Sequence, residues 1–311
     1  MPDGKTLSQA IKDQLLEYQN SELREIRTWK RGVLPPTPTF PACSVMPERV
    51  RILYPRNRQA ELHWDFNIEL FARHKTPREA LETVQRLAQA VKMIIKQHFK
   101  FGAISGSPSS TLVLDTEIKP VYEEVIPQPT GQYMHMAVVP LEVIQYEDLP
   151  EELIIESTAG LTDGVELVQF IENRLEAFAR DSSQLSLRQV AQFSRSLVPP
   201  IPQFPAITIS GAITEHDRAL TGLDIVNHSF DFSVFTSLLP QEVNLDLNLV
   251  LVDLLIQIIW VNFAWGGRAE MTTVEEVEFV RERSEVGHVY RSTITANVQC
   301  REKISLEVAR R

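Results

Sequence analysis

The pattern P-P-x-P-x-F-P-A occurs twice in this chain, from Pro35 to Ala42 and again from Pro199 to Ala206, 164 residues apart. A duplicated stretch constrains folding more than any bulk property, because both copies must satisfy one packing pattern. The offset continues without a gap from Leu7/Ile171 to Phe71/Phe235. Apolar residues meet apolar residues along it: Ile11 with Leu175, Leu23 with Leu187, Ile26 with Val190, Val45 with Ile209, Leu62 with Val226 and Phe66 with Phe230. The sequence therefore predicts two tandem copies of one domain, residues 1–150 and 151–311. A chain of 311 residues has room for two cores of that size.

Periodicity sets out the elements of each copy. In copy one, Leu7, Ile11, Leu15, Tyr18, Ile26 and Trp29 form one apolar stripe, which predicts a helix over residues 7–29. The prolines at 35–41 cannot continue it and read as a stiff, extended connector. Short strands are expected at 40–46 and 50–54. Residues 62–71 alternate, with Leu62, Trp64, Phe66, Ile68 and Leu70 on one face and His63, Asp65, Asn67 and Glu69 on the other, as a strand with one buried face does. Thr76-Pro77 opens a second helix over 77–99, and strands follow at 112–125 and 133–145. Copy two repeats the order, with a helix from Gly164 open to a break around 181–183, strands at 204–209 and 225–235, a helix over 240–265, and strands at 274–283 and 289–300. Residues 147–162 read as the linker. The expected fold class is α/β (α+β): two tandem copies of a domain with an antiparallel or mixed β-sheet packed by two helices.

Charge divides the copies. Residues 1–150 carry 18 basic and 18 acidic side chains, whereas residues 151–311 carry 13 and 23 and hold the whole net charge of −10. Similar domains with different charge are expected to face different surroundings, and a net acidic chain argues against specific nucleic-acid binding. Cys43 and Cys300 lack ligand spacing and read as buried free thiols. The first 14 residues are polar where a signal peptide would need an apolar run. The apolar stretch 243–265 contains Asp246 and Asp253, each costly inside a bilayer, so a buried helix is expected there and no membrane partner.

No catalytic pattern emerges from the motifs. A nucleophile elbow, P-loop, Rossmann fingerprint and zincin motif are all missing from the sequence. Gly102 and Gly106 lie outside any strand-then-helix context and read as a loop. His63 and His135 fall on strands and could be neighbours, but two histidines without a third ligand do not make a metal site. The pairs Glu123-Glu124 and Glu275-Glu276 point to opposite faces of a strand and read as solvated charges. The expectation is no enzyme, no metal and no cofactor.

Two surfaces are candidates for partners. Arg24, Arg27, Lys30 and Arg31 either offset the dipole at the end of the first helix or dock an acidic partner. Arg49, Arg51, Arg56 and Arg58 add a second basic run, in an expected hairpin, that copy two lacks. The helix over 240–265 is apolar almost all round, whereas a helix on one sheet needs one apolar face. Its excess predicts burial against the other domain or another subunit, with Trp260, Phe263 and Trp265 as candidate oligomer contacts.

The repeated unit resembles the tail terminator (tail completion, neck) proteins of long-tailed bacteriophages. The likeness is carried by Thr39-Phe40-Pro41-Ala42, by Phe66-Asn67-Ile68-Glu69-Leu70-Phe71 and by Thr76-Pro77-Arg78-Glu79-Ala80, with Phe204-Pro205-Ala206 and Phe230-Asp231-Phe232-Ser233-Val234-Phe235 in copy two. It extends over most of the chain, once per copy, and the duplication itself departs from the single-domain pattern of that family. The resemblance implies a virion protein assembled in the host cytoplasm, forming a ring at the head-proximal end of the tail. Its partners would be copies of itself, as a hexamer by preference or a trimer, the tail tube and possibly the sheath protein, and the head connector. DNA would pass through the channel. The other readings are a baseplate or connector component, or a non-viral protein-binding module.

Overall fold

The structure is a computed structural model that describes residues 4–35, 38–56, 59–97, 113–118, 122–127, 133–148, 164–180, 187–194, 203–218, 223–237, 241–262, 265, 269, 271–284 and 287–303. The expected linker 147–162 lies almost wholly outside the described residues, as do the glycine-bearing loop at 102–106 and the break at 181–183. The fold is mixed α/β, with helices packed on mostly antiparallel sheet. The chain divides into two compact units: Met1–Asp148 with Leu239–Leu249, and Leu149–Leu238 with Val250–Arg311.

Unit 1 begins with α1 (Gly4–Leu16) and a short strand β1 (Thr28–Arg31). Then come β2 (Ala42–Arg56), β3 (Gln59–His74), α2 (Pro77–Gln97), β4 (Val113–Ile118), β5 (Tyr122–Pro127) and β6 (Tyr133–Asp148). The sheet order is β4-β6-β3-β2; β5 also pairs with β6, and β1 lies parallel to β2. The alternation read in β3 sets the core: Leu62, Trp64, Phe66, Ile68 and Leu70 are buried and register with Val139, Leu141 and Val143 of β6 and Cys43, Val45 and Ile52 of β2. α2 lies across β3 and β6, burying Ala80, Val84, Leu87, Val91, Ile94 and Ile95. α1 covers β1 and β2 with Leu7, Ile11 and Leu15.

Unit 2 contains α3 (Gly164–Arg180), one 3₁₀ turn (Leu187–Gln189), β7 (Gln192–Ser194), β8 (Ala206–Arg218) and β9 (Leu223–Thr236). Helix α4 (Gln241–Val261) follows, then β10 (Met271–Ser284) and β11 (Gly287–Lys303). Its sheet order is β10-β11-β9-β8-β7, with β7 parallel to β8. Phe230, Phe232 and Val234 of β9, Ile294 and Val298 of β11, and Leu167, Ile171 and Leu175 of α3 are buried. Helix α4 contributes its first half, to Leu249, to unit 1.

The internal ladders of the two units keep the sequence offset. Six consecutive pairs, from Ala42↔Phe71 to Pro47↔Phe66, correspond to the six from Ala206↔Phe235 to Gly211↔Phe230, both strands being displaced by 164. The parallel pairs Thr28↔Ala42 and Gln192↔Ala206 keep the same displacement. Both long helices span 21 residues, starting at Pro77 and Gln241. Phe40–Pro41 and Phe204–Pro205 are both cis. The units differ where β4 and β5 face β6 as two strands, while β10 faces β11 as one.

Several expected elements are corrected. The first helix stops at Leu16, not Trp29. Residues 17–26 turn back through short bonds such as Gln19 N to Leu16 O and Ile26 N to Leu23 O. Asn20 and Ser21 suit such turns, and β-branched Thr28 and aromatic Trp29 suit the strand that comes next. Arg27 N donates to Pro41 O at 2.8 Å and Gly32 N to Val45 O at 2.9 Å, extending the β1 ladder at both ends. The two strands expected at 40–46 and 50–54 are one strand, β2, in which the irregularity between Pro47 and Arg49 takes the place of a turn. Proline has no ladder donor, so a bulge accommodates it. The single strand expected at 112–125 is two.

Candidate interaction surfaces

On the outer face of unit 1, opposite the core, the short register between β2, β3 and β6 assembles a charged network. Asp65 of β3 lies directly across from Glu142 of β6, and Arg49 and Arg51 of β2 lie across from Asp65 and His63. Two like charges facing each other across a ladder destabilise it, and here each carboxylate is matched by a guanidinium. Arg49 donates to Asp65 Oδ2 through Nε at 3.1 Å and Nη2 at 3.0 Å, and Arg51 Nη2 donates to Glu142 Oε1 at 2.7 Å. His63 bridges two carboxylates, with Nδ1 3.0 Å from Glu142 Oε1 and Nε2 2.7 Å from Glu61 Oε1. Asp65 and Glu142 are buried. Periodicity places His63 and Asp65 on this face but gives no sign of Glu142, 79 positions from His63.

These pairs change the reading of the second basic run. Arg49 and Arg51 neutralise carboxylates of their own sheet and are not a bare basic patch. Arg56 is the last residue of β2, and Arg58 lies outside the described residues. The first basic cluster also divides. Because α1 ends at Leu16, none of its members offsets a helix dipole. Arg24 and Arg27 are exposed, whereas Lys30 and Arg31 belong to β1. Arg31 is buried and forks onto Asp246, Nη1 to Oδ1 at 2.8 Å and Nη2 to Oδ2 at 3.1 Å, with Lys5 Nζ 3.4 Å from Oδ2. That fork fixes the first half of α4 within unit 1.

Of the candidate oligomer contacts, Trp260 and Trp265 are buried within the chain, and Phe263 lies outside the described residues. Trp265 adopts a positive φ of 44°, unusual for a bulky residue, and its indole Nε1 donates to Thr272 Oγ1 at 3.0 Å. α4 is long and apolar enough to cross a membrane by length and composition, and most of its apolar window is buried inside the chain.

The outer face of unit 2 has a different chemistry. Thr295 Oγ1 donates to Asp231 Oδ1 at 2.8 Å, Ser233 and Thr293 hydroxyls lie 3.3 Å apart, and Asn297 Nδ2 donates to Glu275 beside the irregularity between Val274 and Glu276. At the offset of 164, Arg49 and Arg51 of unit 1 correspond to Ile213 and Glu215. His63 and His135 are not neighbours: His63 registers with Ile144 and His135 with Ala72. Cys43 and Cys300 are buried and not joined in a disulfide, and burial pushes the Cys43 thiol well above its ordinary range. Among the described residues, no group of three or more His, Cys, Asp or Glu side chains is placed to hold a metal ion.

No protein-family model matches the chain, and no curated protein matches it. Among solved structures, a chain of the virion of a native gene transfer agent particle is similar at 16% identity, over 45% of this chain and 94% of that one, with a TM-score of 0.31. A likeness that remote carries no argument about function.

Proposed function

We propose that this chain is a structural virion protein made of two copies of one domain, assembling as a ring that ends the tail tube of a long-tailed phage and joins it to the head connector. The observation that carries the duplication is the set of six consecutive ladder pairs repeated at an offset of 164 in both strands. Unrelated domains have no reason to share strand register, proline entry and helix length at one displacement. The tail-terminator role rests on the resemblance of each copy to that family. A non-enzymatic role is supported by what occupies the polar positions: ion pairs on one sheet face, hydroxyl and carboxylate bonds on the other. Different outer faces on otherwise parallel units suit a ring whose two domains meet different neighbours.

Electron microscopy of the full chain, alone and with tail-tube protein, tests this reading. The expected result is a ring with a central channel, seated at one end of the tubes. Single chains in both settings, or decoration along the tube wall, would overturn it.

A further inference from the structure

His63 meets a carboxylate on both sides of its ring. Nε2 lies 2.7 Å from Oε1 of Glu61, on the same strand β3, and Nδ1 lies 3.0 Å from Oε1 of Glu142, on the neighbouring β6. A neutral imidazole has one N–H and one bare lone pair. In that state one of the two contacts sets a lone pair against a carboxylate oxygen, and the two repel. The His63 and Glu142 side chains are 16% and 9% exposed, so water does little to relieve the clash. An imidazolium, with two N–H groups, donates to both carboxylates.

The charges around the ring make the same demand. At the register positions beside His63, β2 brings Arg49 and Arg51, β3 brings Glu61 and Asp65, and β6 brings Glu142 and the phenol of Tyr146. Arg49 pairs with Asp65 and Arg51 with Glu142, so among the described residues Glu61 is matched by no guanidinium. On the far side of β6, β4 sets Asp115 and Glu117 at the register positions of Ile144 and Glu142, further acids and no base. A second proton on His63 supplies the missing cation.

We infer that His63 is a proton-held clasp between β3 and β6: in the folded chain it carries both ring protons and ties Glu61 to Glu142, and loss of one proton opens the link between the strands. The proton that leaves is the one at Nδ1, because Glu142 keeps Arg51, whereas among the described residues Glu61 has no other side-chain partner. The clasp belongs to unit 1 alone: Ile225 and Asn227 stand at the offset of 164 from Glu61 and His63. It does not depend on the proposed ring.

A proton held more firmly by the folded chain than by the unfolded one stabilises the fold below the ordinary histidine range, and that stabilisation is lost as pH rises through the range and beyond it. A neutral His63 held between its neighbours would give the opposite sign, because in acid only the unfolded chain would take up the proton.

The test follows urea unfolding of the full chain and of His63→Asn, which gives unit 1 the residue of its twin. The window is about pH 5.5 to 8.5, above the carboxylate range and below the Cys43 effect. The other titrating groups are common to both chains, so the difference isolates His63. The advantage of wild type is expected to be largest in acid and to shrink as pH rises, by up to about tenfold in the unfolding equilibrium per pH unit. Glu61→Gln, which removes the unmatched carboxylate, should flatten the pH dependence relative to wild type, and it decides if His63→Asn does not fold. In nitrogen NMR of histidine-labelled protein at pH 7, the ring signal missing from His63→Asn should show both nitrogens protonated. A wild-type advantage that grows with pH or stays level, or a ring with one bare nitrogen, would overturn the inference.

Discussion

Arg31 and Asp246 lie 215 positions apart, and their two-bond fork makes one side chain responsible for holding the first half of α4. The guanidinium is nearly buried, so removing it leaves a partly buried carboxylate beside Lys5, whose Nζ lies 3.4 Å from Oδ2. Arg31→Leu should cost about 2–3 kcal/mol in urea unfolding. Arg31→Lys should recover less than half of that loss, since an ammonium lacks the planar fork. The Arg49 and Arg51 pairs are worth less, because both arginines are more than a third exposed and screened by solvent. Cys43 gives a pH signature. Its folded pKa is raised by burial, so above the ordinary thiol value of 9.0 only the unfolded chain gives up the proton. Stability that is present below that value is therefore lost as pH rises, by at most about 1.4 kcal/mol per pH unit. Cys43→Ala should lower stability at pH 7, and the gap to wild type should narrow above pH 9; a gap that stays constant would contradict the burial account.

Among the elements, α2 and α4 offer a paired experiment. Leu249→Gln puts the α2 residue into the buried face of α4 and should cost about 3 kcal/mol, from lost apolar burial and an amide without water. The reciprocal Gln85→Leu should stay within about 0.5 kcal/mol of wild type, since its position is exposed. Both are read from denaturant midpoints. The same elements indicate what is legible in the sequence. The alternation of β3 and the stripe of α2 are readable because each element buries a single face, so periodicity maps onto burial. The end of α1 is not, because Leu23 and Ile26 remain buried although the backbone leaves the helix, and a stripe of buried residues cannot distinguish a helix from a packed turn. Strands β1 and β7 are too short to carry a period of two. Pro47 resembles a strand end because a bulge and a turn use the same residues. The ion-pair network on unit 1 depends on Glu142, whose position opposite Asp65 is a matter of sheet register and not of local spacing. For Trp260 and Trp265 the sequence leaves the cover open between the other domain and another subunit, because the excess apolarity of α4 says that a second face is covered without saying by what.

For the molecule as a whole, the division of charge is the feature that separates the two halves of the chain most clearly. Residues 1–150 are neutral in sum, yet Arg24 and Arg27, both exposed, have only half a counterpart, since position 191 is alanine while position 188 remains arginine. Arg31, a member of the same basic cluster in the sequence, is committed to Asp246, and Lys30 lies in β1, so the exposed members of that cluster are those of the turn before that strand. A ring with two tiers, one per copy, would present this turn to one neighbour and the acidic residues of copy two to another. Arg24→Glu with Arg27→Glu should therefore leave the melting temperature within a few degrees of wild type, because both side chains are exposed. If the proposed ring docks an acidic partner through this turn, the same change should weaken that attachment at least tenfold, an electrostatic effect that shrinks as ionic strength rises. Binding of the variant to tail tubes and to head connectors, each measured at low and high salt, decides the point. A loss confined to one of the two partners identifies the neighbour of copy one. Unchanged binding to both would show that this turn faces solvent in the particle.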